Sequence, residues 1–417
     1  MKQKSAFIPK QATLVLEDGS EFPGYSFGKA RSQAGEVVFT TGMSGYPQSL
    51  TDPSFRGQIL VATWPLQGNY GVPVSPKNCE PFFDNQGIPL HFESEKVQVS
   101  GFVVSEVCEE PSHFDSGAAL SVWLEKNGVP GIRGIDTRAL TKRLRERGVM
   151  MGKILVEGSR DVTIDSGLVS HPVADVSPAE VKSFLPPGLL SKAMEKRRTG
   201  AGEEEDDEYF GSHFALPERP NLLRIALVDC GAKANIYRCL LDRGVQIIRL
   251  PWDHDLSDIE YDGLFLSNGP GDPKDCGRTI AMVRKAFGIG KPVFGICLGN
   301  QIMALAAGAD TYKLPYGHRG QNQPCTELGK GGKNSKAARC YITSQNHGYA
   351  VRQDSLPPGW EPWFINANDS TIEGIRSAHK PFSAVQFHPE GCPGPRDTEF
   401  LLDRFIDQIK ESKNADK

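Results

Sequence analysis

The 417-residue sequence lacks any apolar run of about 18 residues, the length that a helix needs to cross a bilayer. Its opening, MKQKSAFIPKQATLVLEDG, contains lysines but no long apolar stretch, so it does not resemble a secretory signal. The nine cysteines include no CxxC pair, which fits neither a disulfide framework nor a zinc site. We therefore expect a cytoplasmic protein with no metal site.

The composition also lacks a basic excess. The formal net charge is -4, whereas a nucleic-acid-binding surface normally needs clustered positive charge. A GxxxxGK[ST] phosphate-binding loop is absent too, which is consistent with ATP being bound elsewhere, and we expect no cofactor on this chain. With 39% hydrophobic and 24% charged residues the chain is typical of globular proteins, and its length indicates two or three domains.

Residues 1–160 predict a β-rich α/β domain, because short β-rich runs alternate with turns that contain Gly, Pro and Asp. The predicted strands are 12–16, 37–40, 58–63 and 97–104. The clearest helix is IDTRALTKRLRERG, in which Asp136 is the expected N-cap and Gly148 the expected end. Leu140 and Leu144 would share its buried face.

The chain changes character after residue 160. Residues 161–220 predict a connecting segment, whose part 194–220 carries a basic patch and then an acidic run, as a linker or surface insertion would. Residues 221–412 alternate apolar strands with helices, which predicts a parallel sheet with helices on both faces. Ligands of such sheets bind at the carboxyl ends of the strands. A polar tail at 413–417 ends the sequence.

The stretch KPVFGICLGNQIMALAAG joins an apolar strand to a helix through Gly295, Cys297 and Gly299. This order predicts a nucleophile elbow, a strained turn that exposes its nucleophile above the sheet, with cysteine as the nucleophile. The cysteine would also lie at a helix N-terminus, where unpaired N–H groups and the helix dipole favour the thiolate. Taken alone, the pattern is equally compatible with a buried cysteine in a packing turn.

A second pattern, AVQFHPEGCPGP, places His388 and Glu390 just after an apolar strand at 382–387. Residues two apart in an extended segment point to the same side, so Glu390 can orient the imidazole of His388. A histidine oriented by a carboxylate is the partner that a cysteine nucleophile needs. Such a pair is often an ordinary surface pair, but its position after a strand of the same domain favours a catalytic site.

A third pattern, SNGPGDP at 267–273, also follows a strand. Glycines leave backbone N–H groups free to face a developing oxyanion. We therefore predict an oxyanion hole formed by the N–H groups of Gly269 and Leu298, although the segment on its own is only a turn.

Together these patterns resemble the class I, triad-type glutamine amidotransferase domain, which implies a flavodoxin-like fold for residues 221–412. The front half resembles that of the carbamoyl phosphate synthetase small (glutaminase) subunit in GEVVFTTGMSGYPQSLTDPSFRGQILVATWPLQGNYGV and GVPGIRGIDTRALTKRLRERG. The resemblance continues through YGHRGQNQPC and TSQNHGYAV, and it covers nearly the whole chain apart from 194–220.

The resemblance implies roles for individual residues. Cys297 would be the nucleophile, His388 the general base and then acid, and Glu390 its orienting group. The residues implied in glutamine binding are Ser54, Gly269, Gly271, Leu298, Gln301, Asn346, Gly348 and Tyr349. Asn300 departs from the family, which usually has histidine there, and we expect this to affect support of the elbow more than the chemistry.

The resemblance also implies a partner, a carbamoyl phosphate synthetase large subunit or a fused synthetase domain that binds ATP and Mg and uses bicarbonate. Ammonia from glutamine would feed carbamoyl phosphate synthesis for pyrimidines, arginine or both. Two other functions remain open: a stand-alone γ-glutamyl cysteine hydrolase, and a non-catalytic regulatory module of a synthetase. The sequence leaves undecided whether the chain is a separate subunit or part of a fused enzyme.

Overall fold

The computed structural model describes residues 10–189, 222–329 and 339–415. These residues form two compact units. The first unit runs to Pro172 and also includes Lys313–Asn322 and Cys392–Gly394, while the second contains the rest. The charged insertion predicted at 194–220 lies outside the described residues.

The first unit is built on a closed barrel with the strand order β1-β2-β8-β6-β4-β3-β9. Its strands are β1 (Gln11–Leu16), β2 (Glu21–Gly28), β3 (Gln33–Thr40), β4 (Gln58–Ala62), β5 (Leu66–Gln67), β6 (Gly101–Val103), β7 (Glu106–Val107), β8 (Pro130–Arg133) and β9 (Met150–Val156). β5 and β7 form a small separate sheet. Closure occurs because β1 pairs with both β2 and β9, so the barrel has no free edge strand.

Among the described residues three α-helices accompany the barrel: α1 (Tyr46–Thr51), α2 (Leu120–Lys126) and α3 (Thr137–Arg147). The predictions for α3 are confirmed. The Asp136 side chain accepts a hydrogen bond from the N–H of Ala139, Leu140 and Leu144 are buried, and Gly148 follows the last turn with φ 94°.

The strand predicted at 97–104 is wrong in length, because only Gly101–Val103 is a strand. The residues before it leave the ladder: the N–H of Gln98 donates to the carbonyl of Leu50, at the end of α1. Val97 and Val99 are buried in the core without belonging to a strand, so burial alone produced the apolar pattern.

The second unit contains a ten-stranded sheet with the order β10-β12-β11-β13-β14-β19-β18-β16-β15-β17. The strands are β10 (Lys182–Phe184), β11 (Arg224–Asp229), β12 (Gln246–Pro251), β13 (Gly263–Leu266), β14 (Val293–Ile296), β15 (Thr311–Glu327, in this unit from Gln323 onwards), β16 (Arg339–Val351), β17 (Trp360–Asn366), β18 (Ile372–Ser377) and β19 (Phe382–Val385). The helices are α4 (Pro172–Val176), α5 (Ala234–Asp242), α6 (Gly277–Ile289), α7 (Leu298–Ala307) and α8 (Phe400–Ala415).

The predicted parallel sheet is confirmed in the five central strands, β12, β11, β13, β14 and β19. The prediction was incomplete, since β10 and the strands from β18 outward extend the sheet by antiparallel pairing. In the described residues between β15 and β18 no α-helix separates one strand from the next. Short connections of this kind allow antiparallel neighbours, whereas a parallel pair needs a long crossover.

Both faces of the central strands are covered. Phe265 and Phe294 contact Phe405 of α8 on one face, with ring centroids 5.8 and 5.6 Å away. Leu264 and Leu266 point to the other face and join a core that includes Met303 of α7. Within the described ranges, none of the helices combines the length and the apolar character that a membrane crossing requires.

Candidate active site

Cys297 occupies the corner between β14 and α7. Its backbone has φ 54° and ψ -103°, a conformation that is strained for a residue with a side chain. Its N–H donates to the carbonyl of Val385 on β19 at 2.8 Å, which ties the corner to the neighbouring strand. A Cβ on Gly295 would lie 2.7 Å from the backbone of Gly299, and one on Gly299 would lie 2.4 Å from the Leu266 carbonyl oxygen. The corner therefore requires both glycines.

We expect Gly299→Ala to destabilise the protein by about 2 kcal/mol, because the new methyl group would meet rigid backbone atoms. The measurement is urea unfolding, with Gly288→Ala as the matched control. Gly288 lies in α6, and a Cβ there would have no neighbour within 4 Å, so alanine should leave stability unchanged or raise it slightly. Equal unfolding midpoints for the two variants would contradict the close approach of strand and helix.

His388 lies just beyond β19, which pairs in parallel with β14, so His388 and Cys297 are at the same edge of the sheet. The backbone N–H of His388 donates to the carbonyl of Ser344 at 2.9 Å. Its side-chain Nδ1 lies 2.6 Å from Glu390 Oε1, and both side chains are buried. Within the described residues, His388 Nε2 makes no hydrogen bond of standard geometry. The Cys297 side chain is nevertheless near enough to raise the pKa of the imidazole.

The His388–Glu390 pair is an ion pair. Burial lowers the pKa of His388, but the Glu390 carboxylate, with a smaller effect of the nearby Cys297 side chain, outweighs it and raises the pKa to about 10. Burial raises the pKa of Glu390, but the charges of Lys233 and His388 outweigh it and lower the pKa to about 2. At neutral pH the imidazole is therefore protonated and the carboxylate ionised.

Lys233 completes this charge cluster and was missed by the sequence reasoning. Its buried Nζ lies 3.1 Å from Glu390 Oε1 and also donates to the carbonyl of Gly391. Its backbone N–H donates to Asn268 Oδ1 at 3.0 Å, immediately before α5. A lysine four residues after the end of a buried parallel strand, at the carboxyl edge, was the available signal in DCGAK.

We expect Lys233→Met to reduce the free energy of unfolding by about 3 kcal/mol near neutral pH, because it removes one partner of a buried charge cluster. The lowered pKa of Glu390 contributes stability above its unfolded value of about 4.3, and this stability is lost as the pH falls towards about 2. Without Lys233 the pKa rises, so acid unfolding should begin at higher pH.

Chemical denaturation across this acidic range measures the effect of Lys233→Met. Lys410→Met is the control, because Lys410 pairs with Asp407 on the exposed surface and should contribute much less. Coincident stability curves for the two variants would exclude an energetic role for the buried lysine.

The QNHGY segment lies against the elbow. The Cys297 thiol donates to the carbonyl of Asn346 with a sulfur–oxygen distance of 3.6 Å. Gln301 Nε2 donates to the carbonyl of Tyr349 at 2.9 Å. Gly348 lies between these residues on β16. The structure thus brings Cys297, Gln301 and this segment together.

The glycine loop after β13 approaches the elbow from another side. A Cβ on Gly269 would lie 2.2 Å from the Cys230 carbonyl oxygen and 2.8 Å from Leu298 Cδ2, so only glycine fits. In the described part of the chain no acceptor receives the backbone N–H of Gly269 or of Leu298. Gly271, with φ 87°, lies in the same loop.

Ser54 belongs to the first unit, in the 3-10 helix Pro53–Phe55, where its N–H donates to Asp52 Oδ1 at 2.9 Å. Its implied contact with glutamine stays a prediction. Asn300, the departure from the family pattern, is fully buried and donates to Gln386 Oε1 at 3.1 Å.

Comparisons with known proteins find a family model for each of the two units. Residues 226–408 match the model of glutamine amidotransferase class-I, and residues 14–154 match that of the carbamoyl-phosphate synthase small chain, CPSase domain. A glutamine amidotransferase structure from Thermotoga maritima covers 46% of this chain and 85% of its own, at 17% identity and a TM-score of 0.33.

Two curated relatives differ in length: one is a long multifunctional protein and the other a small chain. The multifunctional protein pyr1-3 of Dictyostelium discoideum is 44% identical over 410 residues, covering 96% of this chain and 17% of that protein. The carbamoyl phosphate synthase arginine-specific small chain of Candida albicans is 41% identical over 410 residues, covering 97% of this chain and 86% of that protein. The chain thus spans about a fifth of the length of its multifunctional relatives.

The second unit is a class I glutamine amidotransferase domain. The front unit matches the small-chain model, and the small-chain relative from Candida albicans aligns with most of this chain and with most of its own length. The chain therefore belongs to the carbamoyl-phosphate synthase small-chain family. The family and the fold class expected from the sequence are confirmed.

Proposed function

We propose that this chain hydrolyses glutamine and supplies the ammonia to a carbamoyl-phosphate-forming synthetase. One observation carries the proposal: a strained cysteine at the end of β14 lies at the same sheet edge as the buried His388–Glu390 ion pair that follows β19. In this proposal Cys297 is the nucleophile, His388 the acid and base, and Glu390 the group that orients and charges the imidazole.

The reaction begins from a thiolate–imidazolium pair, in which His388 carries the proton lost by Cys297, and the thiolate attacks the carboxamide carbon of glutamine. The resulting oxyanion accepts hydrogen bonds from the N–H groups of Gly269 and Leu298, whose lack of acceptors in the described chain supports this role. The His388 imidazolium gives its proton to the leaving nitrogen, and the carbon–nitrogen bond breaks to release ammonia. Water, deprotonated by the neutral imidazole, then hydrolyses the γ-glutamyl thioester to glutamate and free Cys297.

Recognition of glutamine is assigned to groups around this nucleophile. The proposed roles of Gln301, Asn346 and Tyr349 are supported by the hydrogen bonds that join the elbow to the QNHGY segment. The role of Gly271 is supported by its position in the same loop as Gly269. Gly348 and Ser54 complete the proposed set.

The proposed partner is a synthetase, either a separate large subunit or a domain of a longer chain, that binds ATP and Mg and activates bicarbonate. The names of the relatives support both arrangements, since one is a small chain and another a multifunctional protein. Carbamoyl phosphate would then enter pyrimidine synthesis, arginine synthesis or both. All nine cysteines are free thiols, which supports placing the protein in the reducing cytosol.

Labelling with a glutamine-like diazoketone tests the site. We expect the reagent to modify Cys297, identified by mass spectrometry of peptides, and to stop glutamine-dependent synthesis while ammonia-dependent synthesis continues. Excess glutamine should protect the thiol. Modification of another cysteine, with Cys297 intact and activity lost, would overturn the assignment.

A further inference from the structure

Three buried carboxamides form a connected chain beside the elbow. Gln301 Nε2 donates both to the Tyr349 carbonyl at 2.9 Å and to Gln386 Oε1 at 3.1 Å. Asn300 Nδ2 donates to the same Gln386 oxygen at 3.1 Å. Asn300 and Gln386 are completely buried, and Gln301 is 3% exposed.

The Tyr349 carbonyl determines which way each amide points. A backbone carbonyl can only accept a hydrogen bond, so Gln301 must turn its NH₂ group towards it. The same NH₂ group then faces Gln386, which must present its oxygen, and Asn300 must in turn present its own NH₂ group. Reversing any one amide would place two donors or two acceptors against each other.

This orientation leaves two buried atoms, Asn300 Oδ1 and Gln386 Nε2, with no hydrogen-bond partner among the described residues. Leaving buried polar atoms unpaired costs free energy, so this arrangement is not the one that would give Asn300 and Gln386 the most hydrogen bonds. It does maintain the hydrogen bond from Gln301 Nε2 to the Tyr349 carbonyl. The chain of amides thus holds the side chain of Gln301 in one of its two possible orientations.

The held orientation has a consequence for binding. With its NH₂ group occupied twice, Gln301 accepts no hydrogen bond at Oε1 from the described part of the chain. We propose that Gln386 and Asn300 are positioning residues, which keep Gln301 Oε1 available as the acceptor for an N–H donor of the substrate. This inference rests on the proposed function, because it concerns recognition of glutamine.

Two substitutions remove the positioning bonds without removing Gln301. Gln386→Met keeps the side-chain length but deletes the shared acceptor, and we expect the KM for glutamine to rise roughly tenfold, the upper end for one lost hydrogen bond, with kcat within about twofold. Asn300→Leu deletes one donor, and KM should rise about threefold. Asn300→His keeps an N–H donor towards Gln386 Oε1, so its KM should equal that of the natural protein.

The measurement is glutamate release by the complete enzyme, normalised by the fraction of Cys297 labelled by the diazoketone. Gln353→Met, the same change at an exposed position after β16, is the matched control and should behave like the natural protein. An unchanged KM in both Gln386→Met and Asn300→Leu, or a fall in kcat alone, would overturn the positioning role. Failure of the natural protein to release glutamate or to be labelled would instead overturn the proposed function, and this inference with it.

Discussion

Replacing Cys297 by serine is expected to reduce glutamine hydrolysis by roughly 10⁴-fold or more, the scale seen when the nucleophile of a catalytic triad is removed. A hydroxyl group ionises far less readily than a thiol, so the His388–Glu390 pair cannot generate an equivalent nucleophile. Ammonia-dependent carbamoyl phosphate synthesis by the complete enzyme should continue, because it bypasses this site. Both rates are measured with purified enzyme, with either glutamine or an ammonium salt as nitrogen donor.

Cys340→Ser is the matched control for this experiment. Cys340 is an exposed thiol on β16, and its replacement should leave both rates unchanged. Retained glutamine-dependent synthesis in Cys297→Ser would favour the alternative function, a non-catalytic regulatory module. Vigorous hydrolysis by the natural chain without any synthetase turnover would instead favour a stand-alone γ-glutamyl hydrolase.

Replacing Glu390 by glutamine should reduce hydrolysis by roughly 10³- to 10⁴-fold, as expected when the carboxylate that orients a catalytic histidine is neutralised. The negative charge of Glu390 helps to raise the pKa of His388 to about 10. Without that charge the pKa of His388 falls towards or below its usual value of about 6.5. The alkaline limb of the residual rate should therefore move to lower pH. Steady-state rates across the alkaline range measure both effects.

The same substitution should alter stability in a pH-dependent way. Because folding raises the pKa of His388, its contribution to stability is fully present below pH about 6.5 and is lost as the pH rises towards about 10. In Glu390→Gln this alkaline loss should disappear. Glu361→Gln is the control, since Glu361 pairs with Arg376 away from His388. An alkaline stability curve with the same slope in both variants would exclude a charged His388–Glu390 pair.

Patterns confined to a few neighbouring residues were predicted well from the sequence. The cap at Asp136 and the buried pair Leu140 and Leu144 define α3 as expected. The strained corner at Cys297 was predicted from Gly295 and Gly299, because only residues without a side chain allow the strand and the helix to approach so closely. The domain boundaries and the roles of individual site residues stay predictions.

Several features that join distant parts of the chain were not predicted. Lys233 and Glu390 are 157 positions apart, and nothing next to either residue identifies the other as its partner. The antiparallel extension beyond β19 escaped prediction for a related reason, since strand pairing depends on segments that meet only after folding. The chain of amides around Gln386 likewise joins α7 to Tyr349 in β16 and to Gln386 just after β19.

The sequence by itself determined the family, the parallel core of the second unit and the chemical groups at its carboxyl edge, because each is written in short patterns of apolar residues, glycines and reactive side chains. Only the tertiary structure decided how those groups are charged and oriented. Burial, Lys233 and the contact between His388 and Glu390 set the pKa values of that pair, and a single backbone carbonyl sets the direction of three amides. Such effects depend on distances between atoms, which folding alone establishes.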